Sequence, residues 1–149
     1  MWNYHGWGAL LVAFRKSRGT NPINCQTNLN VESIKRNYEL FRNQFLSAGK
    51  VLDSFKGGCI YGYGAAQMLP IISYHLENDL SCLKCVLDDD PVKDGLHYWN
   101  LPVKISHPRH FRDIGKSTVF ITAIDNVKPI LLKLFEVEPK HIIYPLHIL

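Results

Sequence analysis

Residues 59–64 read CIYGYG, a β-rich apolar run ending on two glycines, and residues 65–74 then carry helical spacing. A strand that turns on glycine straight into a helix belongs to an α/β fold, because a parallel neighbour is reached only through a crossover. The chain downstream repeats the alternation. CLKCVLD (82–88) reads as a strand, LPVKIS (101–106) as a short strand and HPRHFRDI (107–114) as a helical turn. STVFITA (117–123), NVKPILLKLFEV (126–137) and KHIIYPL (140–146) follow as strand, helix and strand. Pro70 fits only the first turn of its helix, so regular helix is expected to start near Gln67. The expectation is a doubly wound, mostly parallel, three-layer Rossmann-like sheet.

Upstream, helical spacing runs from Asn30 to Phe55, with Asn30 as N-cap and Ile34, Tyr38, Phe41, Phe45 and Leu52 forming one apolar stripe. Gly49 is expected to interrupt this helix or end its first half. ALLVAF (9–14) reads as a further strand, and residues 15–28 as a polar connector. This divides the chain into an N-terminal strand and connector, 1–28, and a Rossmann-like domain, 29–149.

A chain of 149 residues with 46% hydrophobic and 20% charged residues has enough apolar material for one packed core. The net charge of +4 is spread along the sequence, which argues against nucleic acid as a partner. The apolar runs are too short for a bilayer and the N-terminus lacks a signal-peptide pattern, so the cytoplasm is the expected setting. Cys82 and Cys85 form a CxxC without the second pair that a structural zinc site needs. Three apart on a strand, the two thiols are expected to diverge, and no metal site is assigned.

In open α/β sheets ligands bind beyond the carboxyl ends of the strands, where both the glycine turn and the loop DDDPVKDG (88–95) fall. Gly62 allows a tight turn, Gly64 allows close approach of a phosphate, and the amides from Ala65 onward would face the anion. Asp88 follows Gly62 at about the interval where an acid binds a ribose hydroxyl. The pattern leaves two readings open, a phosphate cradle and a structural turn. Asp88, Asp89 and Asp90 are successive and point apart, so they do not form a metal cluster. Asp88 is assigned a ribose or base contact, Asp89 a turn or capping role, and Lys93 a phosphate. His107, Arg109, His110 and Arg112 form the densest basic cluster, read as a solvated face or a diphosphate contact.

The segments IYGYGAAQ, VLDDDPVKDG and LPVKI together resemble the C-terminal domain of sugar C-methyltransferases, which methylate carbon 3 of deoxysugar nucleotides. Asp88, Asp89, Pro91, Lys93 and Gly95 fit the family's loop in register, and YHGWGALLVAFRK is similar to its His-Gly-Gly-Ser-Leu-Arg stretch. Trp7 and Gly8 replace the second glycine and the serine, and Gln67 and Met68 lie where a lysine commonly follows the turn. The resemblance implies a chain that holds a nucleotide-linked sugar, with Gly62, Tyr63, Gly64, Ala65, Asp88, Asp89 and Lys93 as binding residues. Methylation beside a ketone needs a base and an enolate-stabilising donor, roles for which His5 and Tyr63 are the candidates. Tyr144 and His147 fall at the same carboxyl edge. No cofactor is expected in this chain. S-adenosylmethionine would belong to a partner methyltransferase domain or subunit, without which no methyl transfer is expected.

Two alternatives stand beside this reading. One is a stand-alone nucleotide-binding or assembly module, for which Trp2, Trp7 and ALLVAF suggest an apolar interface with a missing domain or a second copy in a homodimer. The other is an NAD(P)-dependent sugar-nucleotide enzyme, disfavoured because Gln67 stands at the third glycine position of the dinucleotide fingerprint.

Overall fold

The computed structural model describes residues 30–146. The elements are α1 (Val31–Ser54), β1 (Ile60–Tyr63), α2 (Leu69–Leu76), β2 (Val86–Leu87), β3 (Ile105–Ser106), β4 (Thr118–Ile121), α3 (Val127–Val137) and β5 (His141–Ile143). The five strands form one sheet in the order β3-β2-β1-β4-β5, every ladder parallel. The chain winds outward from β1 to β3 and then crosses back to β4, so the fold is α/β, doubly wound and Rossmann-like. Direction reverses between β1 and β4. The strand expected at 9–14, the connector, Trp2, Trp7, His5 and His147 lie outside the described residues.

Every residue of β1 and β4 is buried, as a strand covered on both faces requires. Alternation divides them. Ile60 and Phe120 join Phe45, Ala48, Leu52, Leu69, Ile72 and Leu76 in the core beneath α1 and α2. Tyr61, Tyr63, Val119 and Ile121 join Ile130 and Leu134 in the core beneath α3. Cys85 lies within the α3-side core and Cys82 against the other.

Helix α1 runs without a break through Gly49, contrary to the expected interruption. A Cβ at Gly49 would lie 2.6 Å from the carbonyl oxygen of Leu76, so glycine here lets α1 approach the end of α2. The apolar stripe is only half used. Phe45, Ala48, Gly49 and Leu52 are buried, whereas Val31, Ile34 and Tyr38 are more than half exposed. The second strand is shorter than expected, since Leu80 takes a positive φ and a turn bonds the Leu83 amide to the Leu80 carbonyl. Only Val86–Leu87 is left to pair.

Candidate functional site

The register pairs Tyr63 with Leu87, so β1 and β2 end level and Gly64 emerges beside Asp88. The Gly64 amide donates to the Leu87 carbonyl at 2.7 Å. Asp88 Oδ2 then accepts from the Ala65 amide at 2.7 Å and from Lys93 Nζ at 3.1 Å. Its Oδ1 accepts from the Asp90 amide at 3.0 Å, and Lys93 Nζ also donates to the Ala65 carbonyl at 3.3 Å. Asp88 and Lys93 therefore clamp the acidic loop onto the glycine turn. Asp90 Oδ1 accepts from the Val92 amide and caps the 3-10 turn Pro91–Lys93. Asp89 accepts from the Tyr63 hydroxyl at 3.1 Å and pairs with Lys133 of α3 at 2.6 Å.

The sequence left open whether the glycines serve a ligand or the turn. Gly64 has φ +97°, and a Cβ there would collide with Ala123 Cβ and meet the Ala123 amide nitrogen at 3.2 Å. The Gly64 carbonyl accepts from Thr122 Oγ1 at 2.7 Å, which ties the turn to the end of β4. A Cβ on Gly62 would press on Thr122, Val86 and Leu83 at 3.1–3.2 Å. Both glycines thus have packing reasons of their own. The amides of Gly64, Ala65 and Ala66 donate to the Leu87 carbonyl, Asp88 and the Gly64 carbonyl. The Asp88 carboxylate takes up the Ala65 amide, a donor that a phosphate cradle would keep for its ligand.

Of the assigned residues, Gly64, Ala65, Asp88 and Lys93 come together in one network. Tyr63 and Asp89 form a second contact beside it. Tyr63 is 5% exposed and points into the core beneath α3 rather than out of the turn. Burial, followed by the nearby Asp89 carboxylate, pushes its phenol well above the usual value, so at neutral pH it donates. In the basic cluster, Asp94 takes up His110 at 2.7 Å and Arg109 at 3.6 Å. Three participants escaped the sequence reading: Thr122, Lys133 and Tyr98, whose hydroxyl donates to the Ala66 carbonyl at 2.8 Å. Each lies on a distant segment, and no local motif announces it.

The Tyr98 phenol is pushed from 10.0 up to about 12, by burial first and then by Asp88. A group whose folded value is raised adds stability that is complete below the unfolded value and is lost as pH climbs through the folded one. Unfolding free energy is therefore expected to fall between about pH 10 and pH 12. Tyr98→Phe should flatten that fall in urea titrations. An unchanged slope would show that the phenol is not held neutral by its surroundings.

No protein-family model matches the chain, and no curated protein matches it. Among the described residues, no helix is long and apolar enough to cross a membrane, and no three His, Cys, Asp or Glu side chains gather for a metal ion.

Proposed function

We propose that this chain is a Rossmann-like domain that holds a nucleotide-linked sugar, as the C-terminal half of a sugar C-methyltransferase does. One observation carries the reading. The two sequence segments that resemble that family, the glycine turn and the DDDPVKDG loop, are joined by Asp88 and Lys93 at the carboxyl edge of β1 and β2. That edge lies beside the strand-order reversal, where open α/β sheets take ligands. Both cations there, Lys93 and Lys133, are held by acids of the loop. A diphosphate would bring its own negative charge and exchange with those carboxylates for the ammonium groups. Methyl transfer would need S-adenosylmethionine on a separate domain or subunit, with this chain positioning the sugar. We assign it to the cytoplasm, where Cys59, Cys82 and Cys85, all free thiols, would stay reduced.

The test is thermal unfolding with dTDP-sugars, S-adenosylmethionine and NAD(H) in parallel. A ligand at 100 times its dissociation constant stabilises by about 2.7 kcal/mol, and only the dTDP-sugar is expected to do so. Stabilisation by NAD(H) alone would overturn the reading.

The exposed half of the α1 stripe favours a second reading, an assembly module that pairs with a methyltransferase subunit or with a second copy. Sedimentation should then show a concentration-dependent species that Ile34→Lys with Tyr38→Lys abolishes. A monomer at all concentrations, indifferent to both changes and to an added methyltransferase, removes it.

A further inference from the structure

Away from that edge, a cavity of about 650 Å³ is lined by Lys84, His110, Phe111, Arg112, Asp113 and Lys116. Topology explains its place. The β1-to-β2 and β4-to-β5 connections carry α-helices, but the β3-to-β4 crossover has only the 3-10 turns Pro108–His110 and Ile114–Lys116. It sends Ile114 and part of Phe111 into the core beneath α3. Where a full crossover helix would fill the layer, this thinner segment leaves a concavity walled by its own polar side chains.

One cation of the lining is held in place. Lys84 Nζ donates to the Tyr61 hydroxyl at 2.8 Å and to Asp113 Oδ2 at 3.4 Å. It also lies 5.1 Å from the ring centre of Tyr61 and 5.3 Å from that of Phe111. The fully buried Tyr61 donates its own proton to Asp113 Oδ1 at 2.8 Å. An ammonium has three N–H donors, so one remains for a ligand. Asp113 already serves Tyr61 and Lys84. Arg112 and Lys116 have no acidic partner among the described residues. The lining thus sets three permanent cations against one carboxylate that is already engaged.

We propose that this cavity binds a small phosphate monoester, with Lys84 as the pre-positioned cation and Arg112 and Lys116 closing on the phosphate. A guanidinium fork matches two phosphate oxygens, and an ammonium already fixed by Tyr61 and Asp113 loses little freedom on binding. The concavity is open to solvent, and beside its cations the half-buried Phe111 offers an apolar wall to the organic part of an ester. The site is separate from the glycine turn and does not rest on the sugar-nucleotide reading.

The experiment is calorimetric titration of the full chain at fixed ionic strength with adenosine 5′-monophosphate, glucose 1-phosphate and inorganic phosphate. At least one organic monoester should bind saturably and more tightly than inorganic phosphate. Arg112→Ala with Lys116→Ala should weaken it at least about tenfold. Lys50→Ala with Lys128→Ala, which removes equal charge elsewhere, should leave affinity unchanged. Lack of saturable binding, inorganic phosphate binding as tightly as both esters, or equal losses in the two double variants would each overturn the proposal. None of these results bears on the dTDP-sugar experiment, whose residues lie at the other site.

Discussion

Gly64→Ala is expected to lower the unfolding free energy by roughly 2–5 kcal/mol. Two costs arise at once. A φ of +97° is a conformation that an L side chain adopts only with strain, about 1–2 kcal/mol where Cβ meets the backbone. The new methyl would also collide with Ala123 Cβ and press on the Ala123 amide nitrogen at 3.2 Å. Overpacking of a tight site costs about 1–3 kcal/mol, and backbone atoms cannot rotate away as a side-chain end can. The steric part should be recoverable. Ala123→Gly in the Gly64→Ala background should restore part of the loss and leave the part due to φ, giving a favourable coupling in a double-mutant cycle. Urea unfolding measures all four species. A loss below about 1 kcal/mol for Gly64→Ala would mean that the turn is not packed against the β4-to-α3 connection as described.

Asp88→Ala is expected to cost about 2–4 kcal/mol and to loosen the glycine turn. Its side chain is only 13% exposed, and it accepts from two backbone amides and a lysine. Alanine would leave the Ala65 amide without its acceptor in a largely buried position. Lys93, with a side chain 37% exposed, can turn to water, so the orphaned amide accounts for most of the loss. Asp88→Asn keeps one acceptor oxygen and should cost less. Hydrogen exchange at Ala65 discriminates the cause, because loss of the clamp should expose this amide to local opening well before global unfolding. Full stability with Ala65 still protected would remove Asp88 from the role given to it. The same variant bears on binding: if a diphosphate displaces the Asp88 carboxylate, affinity for a dTDP-sugar should survive better in Asp88→Asn than in Lys93→Met.

The order of elements was open to reading from residues alone. The apolar run that ends at Gly62 and Gly64, the helical stripe through Phe45 and Leu52 and the turn residues between elements are local properties. They define strands and helices through backbone preference and period. Pro70 at the start of α2 followed from the same local rules. Cys82 and Cys85 do diverge, but through the turn that carries Cys82 and not through alternation along one strand. The break expected at Gly49 and the strand lengths expected at 82–88 and 101–106 differ from the structure, where α1 is continuous and β2 and β3 keep two residues each. Gly49 is needed by the Leu76 carbonyl of another helix, and the strand pattern of 82–88 gave way to a turn that starts at Leu80.

The candidate site divides along the same line. That residues 62–65 and 88–93 would lie at the carboxyl edge follows from parallel pairing, which the alternation of elements implies, while the strand order that makes β1 and β2 neighbours comes from the structure. Where each side chain turns does not follow. Asp88 reaches the Ala65 amide because the ladder sets Tyr63 level with Leu87, and a slip of one residue would have pointed it elsewhere. Gly64 is confined by Ala123 and Tyr63 answers to Asp89 and Lys133, partners far along the chain. The sequence by itself determined a parallel sheet with a glycine turn and an acidic loop at one edge, since period and turn chemistry act over a few residues. Only the tertiary structure decided that the acid's first partner is the turn itself, because strand register and helix packing choose which donors its carboxylate can reach.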